Sequence, residues 1–132
     1  MPAAIRYTRS RIDKLGVKPG HRVSLLGVDD RSFPDEVRRQ GADASPRFRK
    51  HSHLVFLRIA SLGDLARLKR ARASIRQDGA VWVLWPKGRK LLTEDHVRAA
   101  ALTLRLVDVK VVAFSPVLSA LKLVIPVASR IE

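Results

Sequence analysis

The sequence predicts an α/β fold with a single, mostly parallel sheet flanked by helices and a C-terminal antiparallel hairpin. Three observations carry that reading. Apolar strand-like runs alternate with helical patterns, the order from which parallel sheets are built. The inner runs are apolar on both faces, as a sheet covered by helices requires. The last two β-rich segments are joined by a short Ser115-Pro116 loop, the mark of a hairpin.

Residues 1–20 read as a basic N-terminal arm. Arg6, Arg9, Arg11, Lys14 and Lys18 are scattered among few apolar residues, and Lys18-Pro19-Gly20 reads as a turn. Residues 21–128 form the single domain. Its first strand spans about 22–28, where Val23, Leu25, Leu26 and Val28 surround Gly27 and lead into Asp29. A short helix is expected over 31–40, with Pro34 in its first turn and Gly41 beyond its end. Residues 41–52 are polar and basic and read as a loop or an irregular edge.

The run HLVFLRI, 53–59, is the next strand. Ser61 and Asp64 then form an S-x-x-D capping box. The helix they open should run to about Gln77, with Leu65, Leu68, Ala71 and Ile75 on one face and Asp78-Gly79 ending it. Residues 80–85 are a third strand, closed by the turn Pro86-Lys87-Gly88. Trp82 and Trp85 should point to opposite faces of it and both be buried. Thr93 can cap a helix reaching about Leu104, with Glu94 and Asp95 in its first turn. The hairpin pairs 107–114 with 118–127.

The 132 residues suit one domain with one core, and 46% hydrophobic with 29% charged residues is a globular balance. No run of about 18 apolar residues reads as a membrane span. The first residues show no apolar signal core, so a cytoplasmic location is expected. The absence of cysteine excludes a disulfide, a thiolate nucleophile and a thiolate metal site. The net charge of +14 and a pI of about 11.5 attract polyanions. Weak non-specific nucleic acid or an acidic protein partner follows from it, and an arginine-rich background composition explains it as well. No membrane partner is read.

The segments "KLGVKPGHRVSLLGV", "VWVLWPKG" and "LVDVKVVAFSPVLSALKLV" resemble a family of small bacterial proteins catalogued as a domain of unknown function. The order of elements is similar to a reduced, Rossmann-like version of the class I S-adenosylmethionine-dependent methyltransferase fold. That resemblance implies a fold and carries no catalytic residue over. The sequence also departs from the methyltransferase pattern. After the first strand, where several glycines let backbone approach the cofactor, it reads "LLGVDDRSFP". For the acidic residue that should end the second strand it offers Asp43 at best. No cofactor is read on these grounds.

The candidate residues are few. Gly27, Asp29 and Asp30 lie at the end of the first strand, where open α/β sheets place ligands. The aspartates could hold a metal or a ribose, and turn chemistry explains them without either. Lys87, Arg89 and Lys90 leave the third strand at the same end, as an anion site or partner contact across from Asp29-Asp30. The alternative is a strand that stops at Pro86 and leaves Lys87 solvated. His51 and His53 have the spacing of paired zinc ligands, but no third ligand is near and a solvated basic loop is preferred. No metal site is assigned. His96 reads as a surface residue, and Ser24 has no evident base. There is no GxSxG elbow, P-loop or GxGxxG. The arginines and lysines of 64–77 could neutralise phosphates, without interleaved aromatics for base stacking. The reading favoured is a non-catalytic binding or assembly domain. The alternatives are a divergent S-adenosylmethionine-dependent methyltransferase and a non-specific nucleic-acid-binding protein.

Overall fold

The computed structural model describes residues 10–130, so residues 1–9 of the expected basic arm lie outside the described residues. The elements follow in order as α1 (Arg11–Lys14), β1 (Arg22–Leu26), α2 (Ser32–Arg39), β2 (Asp43–Ser45) and β3 (Ser52–Arg58). A 3-10 helix, Leu62–Arg67, leads into α3 (Leu68–Ser74), then come β4 (Ile75–Pro86), α4 (Glu94–Thr103), β5 (Val107–Ala113) and β6 (Leu118–Val124). The strands form one sheet in the order β2-β1-β3-β4-β6-β5. The first four strands of the chain are parallel, and β6 runs antiparallel to both β4 and β5. The expected parallel neighbours and the terminal hairpin are therefore both present in one sheet.

The sheet has a core on each face. On one side Val83, Trp85, Leu57 and Leu121 pack against Leu68 and Ala71 of α3 and Val97 and Ala101 of α4. On the other, Trp82, Leu84, Phe56 and Ala120 pack against Ile12, Leu15, Phe33 and Val37. Trp82 and Trp85 thus face opposite ways, as alternation along a strand requires, and are 0% and 4% exposed. The indole N–H of Trp82 donates to the Leu15 carbonyl at 3.0 Å, which ties α1 to the middle of the sheet.

Two expectations are corrected, and one alternative is decided. Residues 11–17 do not stand apart from the domain, because Ile12, Leu15 and Val17 are buried in its core. Of the loop or irregular edge expected over 41–52, residues 43–45 form a short parallel edge strand. The helix expected to reach Gln77 ends at Ser74, and Ile75 is already extended. Its capping box is in place, with Asp64 accepting from the backbone N–H of Ala60 and Ser61 at 2.8 and 3.2 Å. Of its expected apolar face, Leu68 and Ala71 are buried in one core cluster with Leu65 packed against it, while Ile75 joins the same cluster from β4. What shortens it is strand pairing. Ile75 pairs with Ser52, and the register then shifts so that Ala80 pairs with Leu54. The polar residues 76–78 lie inside that irregularity, and Gly79 is a strand residue pressed against β3 rather than a helix stop.

Candidate functional site

The chain order reverses beside β1. From β1 the chain adds β2 on one side, then β3 and β4 on the other. Such a switch point leaves a crevice at the C-terminal strand ends, and here it is divided in two. One cleft of about 560 Å³ lies between the β1–α2 loop and the end of β2, with Val28, Asp29, Asp30, Ala44, Ser45 and Pro46 on its walls. A second, of about 790 Å³, lies between the ends of β3 and β4, walled by Ala60–Gly63 and by Lys87, Gly88, Arg89, Lys90, Leu91 and Leu92. Asp29 and Asp30 therefore do not share a cleft with Lys87. The strand β3 stands between them.

Gly27 has φ +73°, which favours glycine, and an added Cβ would lie 3.3 Å from the Arg58 carbonyl. Its need for glycine comes from that backbone conformation together with the close approach of β1 to β3. Asp30 serves the turn. Its carboxylate accepts from the Ser32 N–H at 3.0 Å and the Ser32 hydroxyl at 2.7 Å, opening α2. It also meets a cation from far away in sequence. Arg11 donates to Asp30 at 2.8 Å and to the Phe114 carbonyl at 3.2 Å, and pairs with Glu36. The guanidinium lies 5.0 and 4.6 Å from the ring centres of Phe33 and Phe114. Asp29 is different: it is exposed, lines the first cleft and has no ion pair or hydrogen bond among the described residues.

Lys87 is exposed, and its backbone N–H donates to the Val117 carbonyl at 2.9 Å. That bond fixes the turn against the hairpin and leaves the ammonium at the mouth of the second cleft beside Arg89 and Lys90. Asp43 sits at the start of β2, away from the crevice. Its carboxylate is bound by Arg49 at 2.8 Å, and this hydrogen bond and charge hold its pKa below the usual carboxylate range.

The two histidines separate. His51 lies in a turn at φ +62°, whereas His53 stacks on His21 with ring centres 4.5 Å apart. Among the described residues, no group of three or more metal-binding side chains converges. Ser24 is fully buried, 2.9 Å from the Ser52 hydroxyl, and its oxygen accepts from the Arg49 N–H. His96 accepts from the Thr93 N–H at 3.0 Å and so caps α4.

Sequence reasoning missed two residues at the crevice. Arg11 was read only as part of a basic arm. Arg58 ends β3 beside Gly27, and its Nε is buried without a hydrogen-bond partner among the described residues. The signal for Arg58 was a lone arginine inside the apolar run HLVFLRI.

The strand order, with an antiparallel β6 between β4 and β5, defines a Rossmann-like, class I methyltransferase-type fold. Solved structures match it across most of the chain. A SAM-dependent methyltransferase from Aquifex aeolicus is 12% identical, with TM-score 0.61 and 87% of each chain covered. A TehB-like SAM-dependent methyltransferase from Corynebacterium glutamicum is 11% identical, with TM-score 0.63 and coverage of 88% of this chain and 85% of the other. Magnesium protoporphyrin IX methyltransferase from Synechocystis, solved with bound SAH, is 10% identical, with TM-score 0.62 over 87% of this chain and 78% of its own. At such identities the likeness is one of fold, and function lives in the site. No family model and no curated protein matches the sequence.

Proposed function

We propose that this protein is a divergent methyltransferase-type domain that binds the nucleoside part of an S-adenosylmethionine-like cofactor in the cleft between the β1–α2 loop and β2. The observation that carries the reading is Asp29, a carboxylate without a partner among the described residues, at the switch point of a sheet ordered as in methyltransferases. A carboxylate at such a place accepts hydrogen bonds from ribose hydroxyls. Asp29 would do so here in place of an acidic residue at the end of β2, where this chain has Ser45-Pro46. Val28, Ala44 and Pro46 offer an apolar wall to a base. Asp30 is unsuited to that role because Ser32 and Arg11 already use its oxygens. When bound, such a cofactor supplies an electrophilic methyl group. The chain's own contribution on this reading is to hold the nucleoside through Asp29. Lys87, Arg89 and Lys90, in the neighbouring cleft, would attract an anionic acceptor.

One observation favours a second reading, a non-catalytic binding or assembly domain. The loop 27–31 carries Val28, Asp29, Asp30 and Arg31 where the methyltransferase pattern has glycines. Side chains there keep a ligand away from the backbone.

Calorimetric titration of S-adenosylhomocysteine separates the two. The methyltransferase-type reading expects saturable binding that Asp29→Asn weakens about tenfold or more, as loss of a charge-assisted hydrogen bond does, while Lys14→Gln leaves it unchanged. No binding at millimolar ligand, or binding indifferent to Asp29, leaves the non-catalytic domain as the better account.

A further inference from the structure

A third hollow, of about 600 Å³, opens at the opposite end of the sheet from both clefts. It lies where β3 and β4 begin, on the face that carries Trp82. Its wall brings together Lys14 and Lys18 from the segment before β1, Lys110 from β5, Lys122 from β6, and Arg130. These cations are far apart in sequence, and the fold alone collects them.

Their arrangement is electrostatically unfavourable in the free protein. Lys110 and Lys122 are paired directly across β5 and β6, and like charges in that position repel. Lys122 is half-buried, in register with Trp82 on the neighbouring strand. Among the described residues, none of the four lysines has a carboxylate within ion-pair distance. Of the two aspartates on the wall, Asp78 is bound by Arg76 at 3.0 Å, and Asp13 lies on the exposed side of α1. The Lys122 ammonium titrates below the usual lysine value, first because burial disfavours its charge and then because Lys110 and Lys18 add to the repulsion. An unpaired, half-buried cation facing two others is a poor arrangement for stability. It is a good one for binding an anion, which would supply the missing counter-charge.

We propose that this hollow binds a multiply charged, phosphate-bearing anion, with Lys122 as its inner contact and Lys18 and Lys110 flanking it. Ammonium groups meet phosphate as compact point charges without the planar geometry an arginine demands. Polyphosphate and the phosphate backbone of a nucleic acid present the same chemistry here. The proposal is independent of the cofactor reading, since it concerns the other end of the sheet.

The test uses the full chain and two probes, tripolyphosphate by calorimetry and a short single-stranded RNA by fluorescence anisotropy, both at low salt. Lys122→Met and Lys110→Gln should each weaken binding of at least one probe about tenfold or more, and Arg47→Gln, an exposed position just after β2 at the other end of the sheet, should not. Thermal melting of Lys122→Met should be no lower than that of the parent. Lys110→Gln, an exposed position, decides the matter if Lys122→Met folds poorly. A loss seen with both probes assigns the site to phosphate groups in general, and a loss with RNA alone assigns it to a nucleic-acid backbone. The proposal fails if neither probe binds, if both lysine variants bind as the parent does, or if Arg47→Gln weakens binding equally.

Discussion

Arg11 and Asp30 meet 2.8 Å apart at the mouth of the crevice, although one precedes β1 and the other follows it. The pair is partly shielded, with the Arg11 side chain 20% exposed and lodged against Phe33 and Phe114. It staples the start of the described chain to α2 and, through the Phe114 carbonyl, to the hairpin. Between a surface pair and a buried one, such a contact has intermediate worth.

Arg11→Gln should therefore cost about 1–3 kcal/mol near neutral pH. The pair also sets an acid response. Burial works against the charge of Asp30, but hydrogen bonds from Ser32 and Arg11 and the charge of Arg11 outweigh it and hold its carboxyl below the usual range. A depressed folded-state value means that this contribution is whole above about pH 4, where the unfolded chain ionises. It is lost as pH falls through the folded-state value. Denaturant unfolding at a series of acid pH values should show a shallower loss in Arg11→Gln than in the parent. Parallel acid profiles would refute the coupling.

Trp82→Ala and Trp85→Ala should each destabilise the fold by about 3–5 kcal/mol, as emptying a core aromatic site does. Lys87→Ala, at an exposed turn, should stay within about 0.5 kcal/mol. Trp82→Phe should cost more than a simple volume change, because it leaves the Leu15 carbonyl without its indole donor. Chemical denaturation of the four variants measures this. A tryptophan variant to alanine as stable as the parent would remove the claim that β4 is the core strand.

The stacked His21 and His53 should make the protein less stable in mild acid. Burial lowers the pKa of both rings, and further lowering comes at His21 from His53, Lys18 and Arg76 and at His53 from Arg76 and Arg22, with Asp78 opposing. A histidine with a depressed folded-state value contributes stability that is whole above about pH 6.5 and falls as pH drops through that value. Melting temperature should decline from about pH 7.5 to about pH 5.5, and His21→Gln should flatten the decline. An equal slope in the variant would place the effect elsewhere.

Gly79→Ala should be costly for a reason that is not conformational freedom. An added Cβ would meet the carbonyl oxygens of Ser52 and His53, both at 2.9 Å, and neither backbone can move without breaking β3–β4 pairing. A cost of about 1–3 kcal/mol is expected, as for overpacking. Gly88→Ala meets no atom within 4 Å and carries only the strain of φ +76°, about 1–2 kcal/mol at most. Equal melting of Gly79→Ala and the parent would show that the strands part more easily than this geometry implies.

The sequence by itself determined what depends on neighbours along the chain. Runs such as HLVFLRI and AVWVLW are short, apolar and rich in β-branched and aromatic residues, which marks them as buried strands. The Ser61–Asp64 box, the Pro86 stop and the Ser115-Pro116 loop act within a few residues of themselves. The opposite facing of Trp82 and Trp85 follows from the period of a strand. The tertiary structure alone decided what depends on pairing across the sheet. Register with Ser52 drew Ile75 into β4 and ended α3 early, since a shared ladder outweighs the helical preference of a few residues. Placement of β3 between β1 and β4 separated Asp29 from Lys87. The same ordering brought Arg11 to Asp30 and gathered Lys18, Lys110 and Lys122 around one hollow. Charged side chains carry no periodic signal of the partner they will meet, so the site that local patterns could point toward was completed by contacts between distant parts of the chain.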